Sequence, residues 1–465
     1  MAADTQQAIH PHLSGNLAPV RTEDDFDLVV EGRIPDAMRG AYYRTGPNPQ
    51  FDPRGGQYHA FAGDGMIHGF YLDPESNKAH YRNRWVRTPK WQAENKAGQA
   101  LFGSFGAPSD PSVANTPPGT ANTNILYHGG KLMALQEASE PFELDPRGLE
   151  QGGFMKTGGR FTAHPKVDPE TGELVWFAYS AGPQPMNNMI DYGVTDATGR
   201  VLRRDKFAAP YCSMIHDFMV TKNYVMFPVL PLTGDIQRAM KGGPIFAWEP
   251  DKGAYLGVMK RNASVDTIRW FEMEPNYVFH PMNAWEDGTK IHCELAEYSA
   301  APLFPNADGS RGENSEARLT RWTIDLADTT NRVKRAQIDD VTAEFPRLDE
   351  RFAGLPYRHG WYAANIGHQN TLAFNSVAHI DLRTGKRQEL VLPAGDLVGE
   401  PIFVPRSKDA PEGDGYLIAL VYRAATNHSE LLILNAQDIT GRPEAVLKVP
   451  RRVPQGFHGN WAPGV

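Results

Sequence analysis

The chain has 465 residues and a formal net charge of −8 at pH 7, and it contains 44 glycines, 37 prolines and 10% aromatic residues. So many turn-forming residues favour a β protein over a helical one, because glycine and proline interrupt helices. The weakly acidic balance of mixed charges excludes a phosphate-binding surface as the main feature, so nucleic acid is not expected as a partner.

The cysteine content and the N-terminal sequence indicate a cellular compartment. Cys212 and Cys293 are the two cysteines of the chain, too few for a disulfide framework. The N-terminus lacks the basic start and apolar run of a secretory signal, and the sequence has no apolar run of about 18 residues that could span a bilayer. These features predict a cytoplasmic protein.

Taken in order, the chain reads as one domain. Residues 1–25 are predicted to form an extended arm, and from Phe26 onward short apolar segments alternate with turn clusters. No long linker rich in Ser, Gly and Pro interrupts residues 1–465. Helical patterns are expected at 92–102 and 235–241, in insertions long enough to cap one face of the domain.

A turn motif recurs along the chain. Aspartate and glycine enclose short polar stretches after apolar segments, as in Asp168-Pro-Glu-Thr-Gly172, Asp196-Ala-Thr-Gly199, Asp381-Leu-Arg-Thr-Gly385 and Asp438-Ile-Thr-Gly441. Such turns are typical of the hairpins of a β-propeller, although a β-sandwich with long loops would give the same pattern. Both alternatives predict an all-β fold.

Four of the fifteen histidines share one context. His164, His216, His280 and His458 each lie at the end of an apolar segment, beside a turn-prone or acidic residue. Their separations are far too wide for a zinc finger, so only a fold that brings strand ends to one axis would unite them. Neutral imidazoles without thiolates would then suit a divalent transition metal with room for dioxygen. Four unrelated core histidines are the alternative.

Several motifs resemble one enzyme family. They are Arg44-Thr-Gly-Pro-Asn-Pro49, Phe61-Ala-Gly-Asp-Gly-Met-Ile-His68, Phe161-Thr-Ala-His-Pro165, Met214-Ile-His-Asp217, Phe279-His-Pro-Met-Asn283 and Gly456-Phe-His458. With them the chain resembles the carotenoid cleavage oxygenases, non-haem iron enzymes that also include lignostilbene dioxygenases and bacterial enzymes that cleave phenylpropenes. The resemblance covers nearly the whole chain.

The resemblance implies a fold, a metal and a set of site residues. The fold is a seven-bladed β-propeller with a small helical dome, and Fe(II) is held on its axis by His164, His216, His280 and His458. Three glutamates that orient imidazoles in the family match Glu137, Glu344 and Glu400, since a carboxylate that accepts the distal ring proton fixes the coordinating tautomer. Thr123 matches a threonine whose methyl group crowds one open position at the iron.

The reaction implied is the oxidative scission of an alkene C=C bond by O2, which gives two carbonyl products without an organic cofactor. The partners are then a hydrophobic small-molecule alkene and O2. The protein would supply a dry, shaped tunnel around the metal.

The substrate prediction rests on two departures from the family pattern. The stilbene and phenylpropene branch recognises a phenol with a tyrosine and a lysine, and the matching positions here are Phe105 and Gln136, which lack the hydroxyl and the charge. A tunnel lined by Phe61, Phe102, Phe105 and Phe279 suits a carotenoid or apocarotenoid, although core packing would also use phenylalanines. Stilbenes and phenylpropenes are the alternative substrates.

The sequence also suggests a membrane contact, a different iron site and a function without metal. Peripheral membrane association would use the apolar segment 224–232 and the helix after it, unless that segment is a buried strand. His292 and Glu294 lie on one strand face and could belong to a different iron site, or to an ordinary strand. A propeller without metal, acting as a binding scaffold, is the last alternative.

Overall fold

Aspartate and glycine turns separate the strands, as the repeated motif predicts. The computed structural model describes residues 10–56, 58–104, 107–137, 139–367 and 373–465. Oδ1 of Asp168 accepts hydrogen bonds from the backbone N–H groups of Glu170 at 2.9 Å and Thr171 at 3.1 Å. Gly172 closes this turn with a φ of +70°, a conformation that glycine adopts without steric cost.

The first half of the chain forms four antiparallel blades. The strand β1 Asp25–Gly32 precedes the first blade, which contains β2 Gly40–Pro47, β3 Gly65–Asp73 and β4 Lys78–Trp85. The second is β5 Asn124–His128, β6 Lys131–Leu135, β7 Phe142–Leu144 and β8 Gln151–Phe154. The third is β9 Lys166–Val167, β10 Leu174–Ala178, β11 Met189–Thr195 and β12 Val201–Ala208. The fourth contains β13 Met219–Val220, β14 Tyr224–Val229, β17 Ala254–Lys260 and β18 Arg269–Met273. A separate hairpin of β15 Leu232–Gly234 and β16 Phe246–Trp248 is inserted between β14 and β17.

The second half supplies the other blades. The fifth is β19 Tyr277–Asp287, β20 Lys290–Tyr298, β21 Arg318–Asp325 and the first part of β22 Lys334–Leu348. The second part of β22 begins the sixth, with β23 His359–Asn365, β24 Ser376–Asp381 and β25 Lys386–Val391. The seventh is β26 Leu397–Val398, β27 Ile402–Pro405, β28 Gly415–Arg423, β29 His428–Asn435 and β30 Ala445–Val449, and β31 Gly459–Pro463 follows.

The ring closes where the two ends of the chain meet. The last strand β31 pairs with β2 from Gly40 opposite Pro463 to Arg44 opposite Gly459. The strand β1 joins the first and seventh blades, because its first half pairs with β4 and its second half with β30. The described residues thus form seven blades, and the prediction of an all-β propeller is confirmed.

The described helices lie in insertions between strands. The helices are α1 Pro89–Ala97 and α2 Ile236–Met240, and short 3-10 helices lie at Pro11–Leu13, Gly15–Leu17, Arg54–Gly56, Pro111–Val113, Pro250–Lys252, Val265–Thr267 and Glu350–Phe352. The first helix begins and ends earlier than the predicted range 92–102. Thr88 caps its first turn by accepting a hydrogen bond from the N–H of Trp91, and Gly98 ends it with a φ of +68°.

Apolar side chains between neighbouring blades form the core. Trp176, Trp322 and Trp361 are fully buried there. The segment 224–232, expected as an exposed membrane-binding patch, contributes to this core instead: it contains β14, and Val225, Phe227 and other apolar side chains of the segment are fully buried. That expectation is wrong for the strand, because a continuous apolar run of this length is also the pattern of a strand covered on both faces. Of the apolar residues in the helix that follows, Met240 is exposed.

Among the residues that the structure describes, no helix combines the length and the apolar character needed to cross a bilayer.

Candidate active site

The strands nearest the propeller axis bring the predicted site residues together. In the described part of the chain, each blade contributes one such residue from the start of its inner strand or from within it. They are Thr123 before β5, His164 before β9, His216 before β13, His280 in β19, Glu344 in β22, Glu400 before β27 and His458 before β31. The axis therefore unites residues that are far apart in sequence.

Two of these positions lie in irregular strands. The register of β19 against β20 shifts between Val278 and Pro281, so His280 lies in a bulge. The register of β22 against β23 shifts in the same way after Glu344, and the next residue, Phe345, has a φ of +51°. Because a bulge re-aims side chains, both irregularities turn site residues out of the regular alternation of their strands.

The four histidines converge through their Nε2 atoms. Nε2 of His216 lies 3.0 Å from Nε2 of His164 and 3.1 Å from Nε2 of His280. All four rings are buried, and one nitrogen of each lies within 4.8 Å of the others. Two nitrogens bound about 2.1 Å from one metal and at right angles would lie about 3.0 Å apart. The spacing fits a shared metal ion.

Three carboxylates hold the opposite ring nitrogens. Oε2 of Glu344 lies 2.5 Å from Nδ1 of His280, and Oε1 of Glu400 lies 3.0 Å from Nδ1 of His458. An oxygen of Glu137 is hydrogen-bonded to Nδ1 of His216. Since a carboxylate accepts protons, each Nδ1 carries the hydrogen and each Nε2 presents a lone pair.

Lone pairs that face one another need a cation between them. Nε2 of His216 and Nε2 of His280 are 3.1 Å apart, and neither carries a proton in the tautomer that its carboxylate fixes. This contact is repulsive unless a positive ion binds both atoms. The chemistry of the donor set therefore fits a divalent transition metal.

The remaining oxygens of the three carboxylates are also satisfied. The hydroxyl of Tyr179 donates to Glu137 at 2.7 Å, and the hydroxyl of Tyr298 donates to Glu344 at 3.0 Å. The second oxygen of Glu400 accepts from the N–H of Gly459 at 2.8 Å. Sequence reasoning missed both tyrosines, because their partners lie on neighbouring blades and no local pattern signals the pairing.

His164 is held differently. Its Nδ1 lies 3.7 Å from Asp217, too far for a hydrogen bond, and Asp217 instead forms an ion pair with Nζ of Lys166 at 2.8 Å. Burial, together with the neighbouring histidines, holds the pKa of His164 well below its usual value. The ring is therefore neutral, the form in which it can bind a metal.

The pKa shifts of the other groups follow from burial and from their partners. Burial lowers the pKa of His280 and of His458, and the adjacent glutamates oppose the shift. Burial alone would lower the pKa of His216, but the charge and hydrogen bond of Glu137 raise it above the usual value. Burial would raise the pKa of Glu400, yet His458 and Arg347 lower it to about 2, so this carboxylate is ionised.

Two cavities reach the histidines. One, of about 230 Å³, lies under the inserted hairpin and is lined mainly by apolar side chains, among them Phe61, Met186, Phe246, Phe279 and Phe457. The other, of about 310 Å³, has a mixed lining that includes several charged side chains, and it follows the inner strands past His164, His280 and His458. The first is the candidate substrate cavity.

The predicted substrate contacts divide between two places. Phe61, Phe279, Gln136 and Thr123 line the candidate substrate cavity. Phe102 does not: its ring lies in a small pocket beside α1, where Nζ of Lys90 is 5.7 Å from the ring centroid. Phe105 lies outside the described residues.

The alternative iron site at His292 and Glu294 is not assembled. Nδ1 of His292 lies 3.0 Å from the hydroxyl of Thr323, and Glu294 is ion-paired with Arg321 and hydrogen-bonded to Tyr357. Neither side chain belongs to the four-histidine group. Both residues behave as members of an ordinary strand.

The fold and the site define a β-propeller protein with a candidate four-histidine metal centre beside an apolar cavity. The family model of the retinal pigment epithelial membrane protein matches residues 17–463. Isoeugenol monooxygenase from Pseudomonas nitroreducens is 39% identical over 473 residues, which cover 97% of this chain and 98% of that protein.

Solved structures of related oxygenases are similar to this chain over nearly its whole length. The lignostilbene dioxygenase of Pseudomonas brassicacearum superposes with a TM-score of 0.93 at 35% identity, covering 98% of this chain and 99% of that one. Cobalt-substituted apocarotenoid oxygenase of Synechocystis gives a TM-score of 0.85 at 30% identity, over 96% and 97% of the two chains. The chain belongs to the family of the retinal pigment epithelial membrane protein and the carotenoid cleavage oxygenases, and it is an oxygenase.

Proposed function

We propose that this enzyme is a non-haem Fe(II) oxygenase that cleaves an alkene C=C bond with O2. The observation that carries the proposal is the convergence of four buried imidazoles on one point at the wall of an apolar cavity. The C=C bond and the O–O bond break and two C=O bonds form, so atoms and electrons balance without a further reductant. Fe(II), when bound, supplies the redox chemistry with O2 that no side chain offers.

The residues of the chain hold and orient the metal. His164, His216, His280 and His458 are the proposed ligands. Glu137, Glu344 and Glu400 keep the proton on Nδ1 of three of these rings, which leaves Nε2 free to bind. Tyr179 and Tyr298 fix two of the carboxylates by donating to their second oxygens. Each positioning hydrogen bond therefore acts on the metal through an imidazole.

The cavity positions the alkene and excludes water. The rings of Phe61 and Phe457 meet edge to face with centroids 5.4 Å apart, and the ring of Phe279 lies edge to face against His216 at 5.2 Å. These rings bring an aromatic surface next to the histidines, where a planar conjugated alkene can pack. Thr123 lies at the same wall, and we propose that its methyl group limits access to one side of the metal.

The size of the cavity favours an aryl alkene of the phenylpropene or stilbene type. Its volume of about 230 Å³ lies below the usual range of about 300–1,000 Å³ for small-molecule sites. Relatives named for isoeugenol and lignostilbene support the same substrate class.

A carotenoid or apocarotenoid is the second candidate. The mainly apolar lining and the similarity to an apocarotenoid oxygenase support it. A polyene would have to extend beyond the described cavity, since a long chain needs more volume than this space offers. The aryl alkene and the polyene therefore differ in how much of the molecule would lie outside the cavity.

A reconstitution experiment tests the proposal. The purified protein is loaded with Fe(II) without oxygen and then exposed to air with isoeugenol, resveratrol, an apocarotenal and β-carotene, and the aldehydes are identified by mass spectrometry. Cleavage of isoeugenol or resveratrol is the expected result. The proposal is wrong if no compound yields carbonyl products although the protein holds one iron per chain.

A further inference from the structure

One charged side chain at the candidate substrate cavity has no role in the site described above. Arg160 lies in the loop between β8 and His164 and lines the cavity together with Gln136 and Ser180. Its side chain is half-buried. Within the described residues, its guanidinium has neither a hydrogen bond nor an ion pair. A residue with a planar cation and five N–H donors thus belongs to the lining of a mainly apolar cavity.

Other cations near the axis are paired. In the cavity of about 310 Å³, Lys166 pairs with Asp217, Lys222 with Glu170, Arg261 with Asp168, and Arg347 with Glu400. The fold thus supplies a carboxylate to each of these charges. Arg160 differs from all four, since none of the described carboxylates contacts it.

The carboxylates that line the substrate cavity bind other side chains instead of Arg160. Both oxygens of Glu137 are bound, to His216 and Tyr179, and both oxygens of Glu344 are bound, to His280 and Tyr298. The nearby thiol of Cys212 does not compensate either, because burial raises its pKa to about 11 against the opposing charge of Arg160. The guanidinium of Arg160 therefore has no carboxylate partner among the described residues.

Gln136 is a second donor among the residues that line this cavity. Its Oε1 accepts a hydrogen bond from the N–H of Thr120 at 2.9 Å, and a longer one from the hydroxyl of Ser139 at 3.4 Å. This orientation is fixed by a backbone donor, so the amide –NH2 group remains available for an oxygen acceptor. Two donors thus line the same mainly apolar cavity.

We propose that Arg160 is the residue that selects the substrate, by binding an anionic oxygen group on the aryl ring of the alkene. A carboxylate or a phenolate provides this chemistry, and the forked guanidinium binds a carboxylate through two parallel hydrogen bonds. The proposal rests on the proposed function, because it assumes that an aryl alkene occupies the cavity. It would give a chain that carries Gln136 on the cavity wall a means of distinguishing substituted rings.

A matched series of ligands tests this proposal by binding. Iron-loaded protein is titrated without oxygen, by isothermal calorimetry, with 4-propenylbenzoate, its neutral carboxamide, 4-propenylphenol and the methyl ether of that phenol. The carboxylate and its carboxamide have nearly the same shape and differ in charge. The phenol and its methyl ether also have similar shapes, but only the phenol can lose a proton and become anionic.

The expected result is a preference that depends on Arg160. The wild-type protein should bind an anionic member about 10- to 100-fold tighter than its neutral partner, since hydrogen bonds to charged groups contribute on this scale. Arg160→Met should reduce the ratio to about 1, and Arg160→Lys should keep part of it. Lys156→Met removes a charge from an exposed side chain of the same loop and should keep the full ratio.

The two arms separate the sources of the anionic group. A ratio that falls in the carboxylate pair identifies a carboxylate, and one that falls in the phenol pair identifies a phenolate. The inference is overturned if Arg160→Met leaves both ratios unchanged, with its melting temperature and iron content equal to those of the wild type. Aldehyde formation from the methyl ether by the wild-type protein tests the proposed function separately, because that compound carries no charge.

Discussion

Glu344 binds His280 and Tyr298 at once, and it thereby connects the four-histidine site to two blades. One carboxylate oxygen lies 2.5 Å from Nδ1 of His280, and the other accepts from the hydroxyl of Tyr298 at 3.0 Å. Glu344 is in the sixth blade, whereas His280 and Tyr298 are in the fifth. The orientation of this imidazole therefore depends on how the two blades pack.

Glu344→Gln should weaken metal binding. The amide keeps the size of the side chain but loses the charge that increases the basicity of His280, and losses of about 10- to 100-fold in affinity are typical of such changes. Competition for Fe(II) with a chelator, without oxygen, measures the effect. Glu272→Gln, at a largely exposed side chain, is the control and should bind iron like the wild type. Equal affinities in both variants would contradict the role of Glu344.

Removal of the metal should destabilise the fold. The lone pairs on Nε2 of His216 and His280 repel one another at 3.1 Å without a cation, and ligand binding stabilises the native state by about 2.7 kcal/mol at 100 times the dissociation constant. Chelation should therefore lower the melting temperature of the wild-type protein in calorimetry. The decrease should be much smaller in His164→Ala, and His292→Ala should respond like the wild type. A wild-type melting temperature that is insensitive to chelation would argue against a bound metal.

Lys90→Met should destabilise the protein by about 3–5 kcal/mol. Nζ of Lys90 lies 2.8 Å from Asp64 and 2.6 Å from Glu94, and all three side chains are buried. Loss of the cation leaves two carboxylates buried without their partner, which is the costly way to break an ion pair. Urea denaturation measures the change, with Lys96→Met on the exposed side of α1 as the control. A midpoint equal to that of the control would show that the carboxylates find other partners.

Phe61→Ala should change substrate preference. The ring fills the space between Phe279 and Phe457 at the cavity, so its removal enlarges the cavity and removes an aromatic contact. We expect kcat/KM for isoeugenol to fall by about 10-fold or more, and the value for an apocarotenal to fall less. Phe352→Ala, at a ring that does not line the cavity, is the control. The cavity assignment would fail if both substrates lost activity in equal proportion.

The sequence predicts the residues at the axis better than their surroundings. His164, His216, His280 and His458 share a local pattern at strand ends, so a linear reading can find them. Tyr298 and Arg160 have no such pattern in the sequence. The role of Tyr298 depends on the glutamate that the next blade places beside it, and that of Arg160 on the lack of a carboxylate beside it among the described residues. A register between blades has no signature in a single sequence.

The same limit explains the errors at apolar segments. The run 224–232 lacks the alternation that would distinguish an exposed patch from a strand covered on both faces, and the ring of blades buries it. Phe102 is similar: its apolar character is visible in the sequence, but its position under Lys90 follows from the way α1 packs.

The pairing of β31 with β2 makes metal binding at the four histidines depend on closure of the ring. The side chain of Arg44 donates to the carbonyl of Gly456 at 3.0 Å, across 412 positions of the chain, and His458 lies two residues after Gly456. The fourth imidazole therefore joins the other three only when the first and last strands of the ring have met. Contacts of such long range form late in folding, because they must overcome the entropy of closing the whole chain. Retention of a metal at the four histidines would therefore report ring closure. A molecule whose ring has opened at this seam would keep three of the four imidazoles together and should release a bound metal before any blade unfolds.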